Sequence, residues 1–77
     1  MRLSDLKPGQ EAVIESIVDQ EFTLKLLEMG CLPGEKVRVE RIAPLGDPMA
    51  VSVSGYLLAM RKEEASGIVV KLIATSN

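Results

Sequence analysis

The chain has 77 residues, 47% of them hydrophobic but only Phe22 and Tyr56 aromatic, which leaves room for one small domain with a core of Val, Ile, Leu and Met. Nine basic and eleven acidic side chains give a net charge of −2 with the signs interspersed, which argues against the clustered Lys and Arg and the aromatic platforms of nucleic-acid binders. With no histidine and a single cysteine, the commonest general base, the usual catalytic zinc ligand and any internal disulfide are missing, so hydrolytic catalysis and a secreted disulfide scaffold are not expected.

Met1-Arg2-Leu3-Ser4-Asp5 lacks the apolar core of a signal peptide, and the longest apolar run, Tyr56–Met60, falls far short of the ~20 residues that span a bilayer. A soluble cytoplasmic protein is expected. Leu3-Ser4-Asp5-Leu6 reads as a short turn with two apolar anchors, in which Ser4 or Asp5 satisfies backbone donors. Pro8-Gly9 turns the chain into a β-branched first strand over residues 11 to 18. Its approach resembles the later Pro33-Gly34-Glu35, a likeness of turn chemistry too short to be a repeat.

Asp19 is placed to cap a short helix over residues 22 to 29. At about 100° per residue, Phe22, Leu26 and Met29 fall in one arc while Leu24 and Leu27 form a second apolar patch roughly opposite. One patch closes the core and the other faces a partner; the wheel alone does not say which. Gly30 ends the helix at a position that needs positive φ, and Pro33-Gly34 suits the centre of a type II turn.

Lys36-Val37-Arg38-Val39-Glu40 alternates as a half-buried strand, and Arg41-Ile42 breaks the register as a bulge or strand end does. Residues 43 to 48, with two prolines around Gly46-Asp47, form a loop. Met49, Val51 and Val53 then alternate with Ala50, Ser52 and Ser54 in the clearest strand of the chain. Gly55 permits a kink, beyond which Tyr56–Met60 continues as a strand buried on both faces or tightly curved. Arg61-Lys62-Glu63-Glu64-Ala65 reads as one helical turn, residues 68 to 73 as the last strand and residues 74 to 77 as a loose tail. A single domain over residues 1 to 77, with its core from about 3 to 73, follows. Five short strands and one short helix with Pro/Gly corners point to a mainly β protein, a small β-barrel.

Little chemistry is written on this frame. Cys31 has no basic neighbour and reads as a small core residue. Glu63-Glu64, Asp47 and Glu28 offer hard oxygen ligands, but adjacent glutamates on a turn are expected to be solvated, so no metal site is assigned within the chain. A weak or intersubunit site stays open. No glycine-rich loop leads into Lys-Ser or Lys-Thr, so no nucleotide or other cofactor is expected.

The ordered set Leu27-Glu28-Met29-Gly30, Pro33-Gly34 with Val37 and Val39, Ala43-Pro44-Leu45-Gly46-Asp47-Pro48, Gly55-Tyr56, and Arg61-Lys62-Glu63-Glu64-Ala65 before Ile68-Val69-Val70 resembles the ferrous-iron transport protein A (FeoA) family over most of the chain. The resemblance implies an SH3-like barrel of the bacterial cytoplasm that serves the ferrous-iron permease FeoB by contact rather than catalysis. It also implies likeness to the SH3-like module of some iron-dependent repressors. The residues expected at a FeoB contact are Leu24 and Leu27 as apolar anchors, Lys25 and Glu28 as rim charges, and Leu45 and Asp47 from the loop; Gly30, Pro33 and Gly34 are expected to hold the corner. The alternatives are a homo-oligomer built through the same patch and, ranked last, a regulator that senses iron directly.

Overall fold

The computed structural model describes residues 1–18 and 20–75. Five antiparallel strands, β1 (Gln10–Ile17), β2 (Lys36–Ile42), β3 (Met49–Val53), β4 (Tyr56–Met60) and β5 (Ile68–Thr75), form one sheet in the order β4-β3-β2-β1-β5. Two short helices interrupt them: α1 (Thr23–Glu28) between β1 and β2, and α2 (Lys62–Ala65) between β4 and β5. A 3-10 turn over Leu3–Asp5 precedes the sheet, with Leu3 and Leu6 buried and Asp5 Oδ2 accepting the Arg2 N–H at 2.9 Å. The sheet curls around a single cluster of buried aliphatic residues as an SH3-like β-barrel.

The two Pro-Gly corners are built alike. Gln10 N–H donates to the Lys7 carbonyl and Glu35 N–H to the Leu32 carbonyl, each at 3.0 Å, closing turns whose third residue, Gly9 or Gly34, has φ near +90° as a type II turn requires. Each turn is also tied to the opposite strand. Gly9 N–H donates to Val39 at 2.8 Å and Gly34 N–H to Ile14 at 2.7 Å, so the repeated dipeptide pins the two ends of the β1–β2 pairing.

On β2 and β3, the inward residues are Val37 and Val39, and Met49, Val51 and Val53, as the alternation predicts. The break near Arg41 is a bulge: Val39 pairs with Val51 and Arg41 with Ala50, leaving Glu40 extra. Three expectations change. Ser54-Gly55 is no kink but a two-residue hairpin turn, with φ of +51° and +82°, and β4 folds back on β3. Strand β4 is therefore an edge strand rather than one buried on both faces, and Tyr56, Leu57 and Ala59 are exposed. Its unbroken apolar run had hidden this, since such a run does not distinguish an edge from a centre. Last, β5 extends through Thr75, two residues into the expected tail, because Gln10 and Glu11 still offer it partners; residues 76 and 77, like the proposed Asp19 cap, lie outside the described residues.

Candidate functional site

Helix α1 has only six residues, too few to be stable alone, so its position comes from what it buries. The inner arc is Phe22, Leu26 and Met29: Leu26 is wholly buried, and Phe22 and Met29 pack half-buried against the core. The outer arc is Leu24 and Leu27, 70% and 37% exposed, so the inner arc is the one that closes the core and the outer arc faces solvent.

The helix end is fixed by a Schellman motif. Cys31 N–H donates to the Leu26 carbonyl and Gly30 N–H to the Leu27 carbonyl, both at 3.0 Å, with Gly30 at φ +94°. Leu26 and Cys31, the pair that such a motif brings into apolar contact, are both fully buried, which gives the cysteine its place. Burial pushes the Cys31 thiol pKa up, so it is held as a neutral thiol rather than a nucleophile.

Glutamate 64 departs from the solvated surface expected of it. On α2 it is only 2% exposed, its Oε1 accepts the Arg61 N–H at 2.9 Å, and its Oε2 is paired with the Lys25 ammonium of α1. The lysine's hydrogen bond, against the penalty of burial and with help from the Arg61 N–H, holds the Glu64 carboxyl below the usual carboxylate range. Sequence reasoning saw Glu63-Glu64 as equivalent. The missed signal was Glu64 at the third position of a helix, where a carboxylate reaches back to the preceding N–H and turns inward.

Of the proposed contact residues, Leu24, Lys25, Leu27 and Glu28 stand exposed on α1. Lysine 25 is engaged by Glu64, so it is less a free rim charge than a strut between helices. Leu45 is 97% exposed on the turn over residues 43–46, and Asp47 Oδ1 accepts the Lys62 N–H of α2 at 2.9 Å. Helix α2 thus carries a tie to α1 and a tie to the loop, and this is how the structure connects the two halves of the proposed surface. Leu32, just before Pro33, is a further exposed aliphatic residue that the reading of the helix alone did not include. Among the described residues no group of three or more His, Cys, Asp or Glu side chains converges to hold a metal, and no helix is long and apolar enough to cross a membrane.

The chain is a small SH3-like barrel with a short, firmly seated helix and exposed leucines on its outer side. The FeoA domain model matches residues 1–72, and the chain belongs to the FeoA family. It is 38% identical over 77 residues to the Fe(2+) transport protein A/Fe(2+) transporter FeoB fusion protein of Porphyromonas gingivalis, covering 99% of this chain and 9% of that protein. The chain thus spans under a tenth of the length of that relative. The solution structure of FeoA from Chlorobium tepidum superimposes with a TM-score of 0.87 at 41% identity, covering all of this chain and 74% of that one. A zinc complex of Stenotrophomonas maltophilia FeoA, described as a prokaryotic SH3 domain protein, gives a TM-score of 0.82 at 36% identity over 92% of this chain and 89% of that one.

Proposed function

We propose that this chain is a non-catalytic cytoplasmic accessory protein of ferrous-iron uptake that binds the cytoplasmic region of a FeoB-type permease through α1. The observation that carries the reading is the fusion protein: a relative holds a FeoA part and a FeoB part in one polypeptide, which keeps the two at high effective concentration. The outward Leu24 and Leu27 supply the apolar anchors such a contact needs, with Glu28 beside them as a rim charge. Leu45 and Asp47 add a second point of contact from the loop, held to the same frame by α2. The test is a pull-down of the purified chain against the soluble cytoplasmic part of FeoB, with and without guanine nucleotide. The wild-type chain should bind and Leu27→Asp should not, with both equally folded by circular dichroism. Equal capture of the two would remove the α1 surface from the reading.

A further inference from the structure

The geometry points to a second interface, independent of the α1 surface: the outer edge of β4 pairs antiparallel with β4 of a second copy of this chain, about a two-fold axis at Leu58. Strands β4 and β5 are the ends of the sheet. The outer side of β5 is partly occupied by the N-terminal segment, since Val70 N–H donates to the Met1 carbonyl at 2.8 Å and Arg2 bridges Val69. Among the described residues no strand lies beyond β4 in the sheet, and its Tyr56-Leu57-Leu58-Ala59-Met60 carries neither the charge nor the proline by which edges are usually protected.

The hairpin turn fixes which backbone groups face out. A two-residue turn is closed by hydrogen bonds between its flanking residues, here Val53 and Tyr56, so Tyr56, Leu58 and Met60 direct their N–H and C=O at β3. Leu57 and Ala59 direct theirs away. An antiparallel contact forms when outward-directed residues face each other. A centre at Leu58 sets Leu57 opposite Ala59 of the second copy and Ala59 opposite its Leu57, with two hydrogen bonds per pair and about four in all. Neighbouring registers fare worse. A centre at Ala59 brings in Arg61, whose N–H is already given to Glu64 at 2.9 Å, and a centre at Leu57 brings in Gly55, turned out of strand conformation at φ +82°.

Side chains and charges agree with the Leu58 centre. Leu57, 64% exposed, covers Ala59 of the other copy on the outer face, and the two Leu58 side chains approach at the axis, where a non-hydrogen-bonded pair stands closest. The same register carries Arg61 and Lys62 of each copy toward the other's hairpin tip. There the Ser54 hydroxyl donates to the Glu35 carboxylate at 2.9 Å, so a cation meets an anion at both ends of the ribbon.

A five-residue edge is a small contact, below about 1,000 Å², so the dimer is weak and is best read near about 1 mM protein. The experiment is sedimentation equilibrium on the whole chain from micromolar to millimolar concentration, with amide exchange by NMR at both limits. Self-pairing gives a reversible dimer and slows exchange of the Leu57 and Ala59 amides, by about tenfold when ten chains in eleven are paired, while the Leu58 amide, already bonded to β3, changes little. Ala59→Lys should abolish the dimer and Leu27→Asp should preserve it. A monomer at 1 mM overturns the proposal, and so does a dimer that Leu27→Asp dissolves and Ala59→Lys does not. Should Ala59→Lys fail to fold, the exchange pattern of the unaltered chain decides alone, because a dimer without protection at Leu57 and Ala59 also overturns it. Since FeoB binding is read separately through Leu27, failure of either interface leaves the other standing.

Discussion

Replacing Lys25 by methionine isolates the strut between the two helices, because the side chain keeps its length and helix propensity and loses only its ammonium. Glu64 is then a carboxylate, 2% exposed, with the Arg61 N–H as its remaining hydrogen bond. Breaking a fully buried pair costs about 3–5 kcal/mol, but the Lys25 side chain is 58% exposed and water screens that end of the bond, which discounts the cost to about 1–2 kcal/mol. At roughly 4–8 °C per kcal/mol for a domain of this size, Lys25→Met should melt about 5–15 °C below the wild-type chain at pH 7. The dependence on pH has a definite sign. The folded-state pKa of Glu64 is depressed, so its stabilisation is present above the unfolded carboxyl pKa of about 4.3 and is lost as pH falls through the lower folded value. Wild-type and Lys25→Met melting curves should therefore converge in acid. In a Glu64→Gln background, whose amide oxygen still accepts the Arg61 N–H, Lys25→Met should cost only a few tenths of a kcal/mol. Calorimetric melts of the four variants between pH 2 and 7 measure this. An equal loss at both pH limits, or no coupling in the cycle, would refute the strut.

Leu26→Ala, at a wholly buried position, should cost about 2–5 kcal/mol in chemical denaturation, whereas Leu27→Asp one residue along should stay within about 1 kcal/mol and act on partner capture instead. Gly30→Ala should cost about 1–2 kcal/mol through backbone strain alone, because at φ +94° an added methyl meets nothing within 4 Å. Cys31 should resist alkylation in the native chain and react once denaturant is added; its raised pKa means that its stabilisation is full below the unfolded thiol pKa of about 8.5 and fades as pH rises toward the folded value, a loss that Cys31→Ala should not show.

What was legible in the sequence was what depends on a few neighbours. The Pro-Gly turns, the glycine at the helix end, the alternation of β2 and β3 and the two-sided wheel of α1 are each set within a window of about ten residues. Tertiary partners decided the rest. Tyr56–Met60 reads the same at the edge or centre of a sheet until the partner strands are counted, and Ser54 at positive φ is no obvious turn residue without β4 returning on β3. Glu63 and Glu64 differ only because one of them faces Lys25, 39 positions earlier. The candidate site was half visible for the same reason: the leucines of α1 were found by periodicity, but which pair faced out depended on where the core lay.

Helix α1 is held at its C-terminal end and at its middle. Its C-terminal end is locked by the Schellman bonds from Gly30 and Cys31, and its middle is braced by Lys25 against α2, which in turn donates the Lys62 N–H to Asp47. A six-residue helix without these ties would pay its ordering entropy at the moment of contact. With them, Leu24 and Leu27 are presented in a fixed frame, and in the proposed FeoB contact their burial would give affinity with little ordering entropy to subtract. A strut differs from a plain stabilising contact in its effect on the proposed partner: Lys25→Met, kept well below its melting temperature, should weaken capture by FeoB mainly through a faster dissociation rate as α1 loosens. A variant such as Gly9→Ala, which strains the first Pro-Gly turn, should lower stability while leaving that rate unchanged.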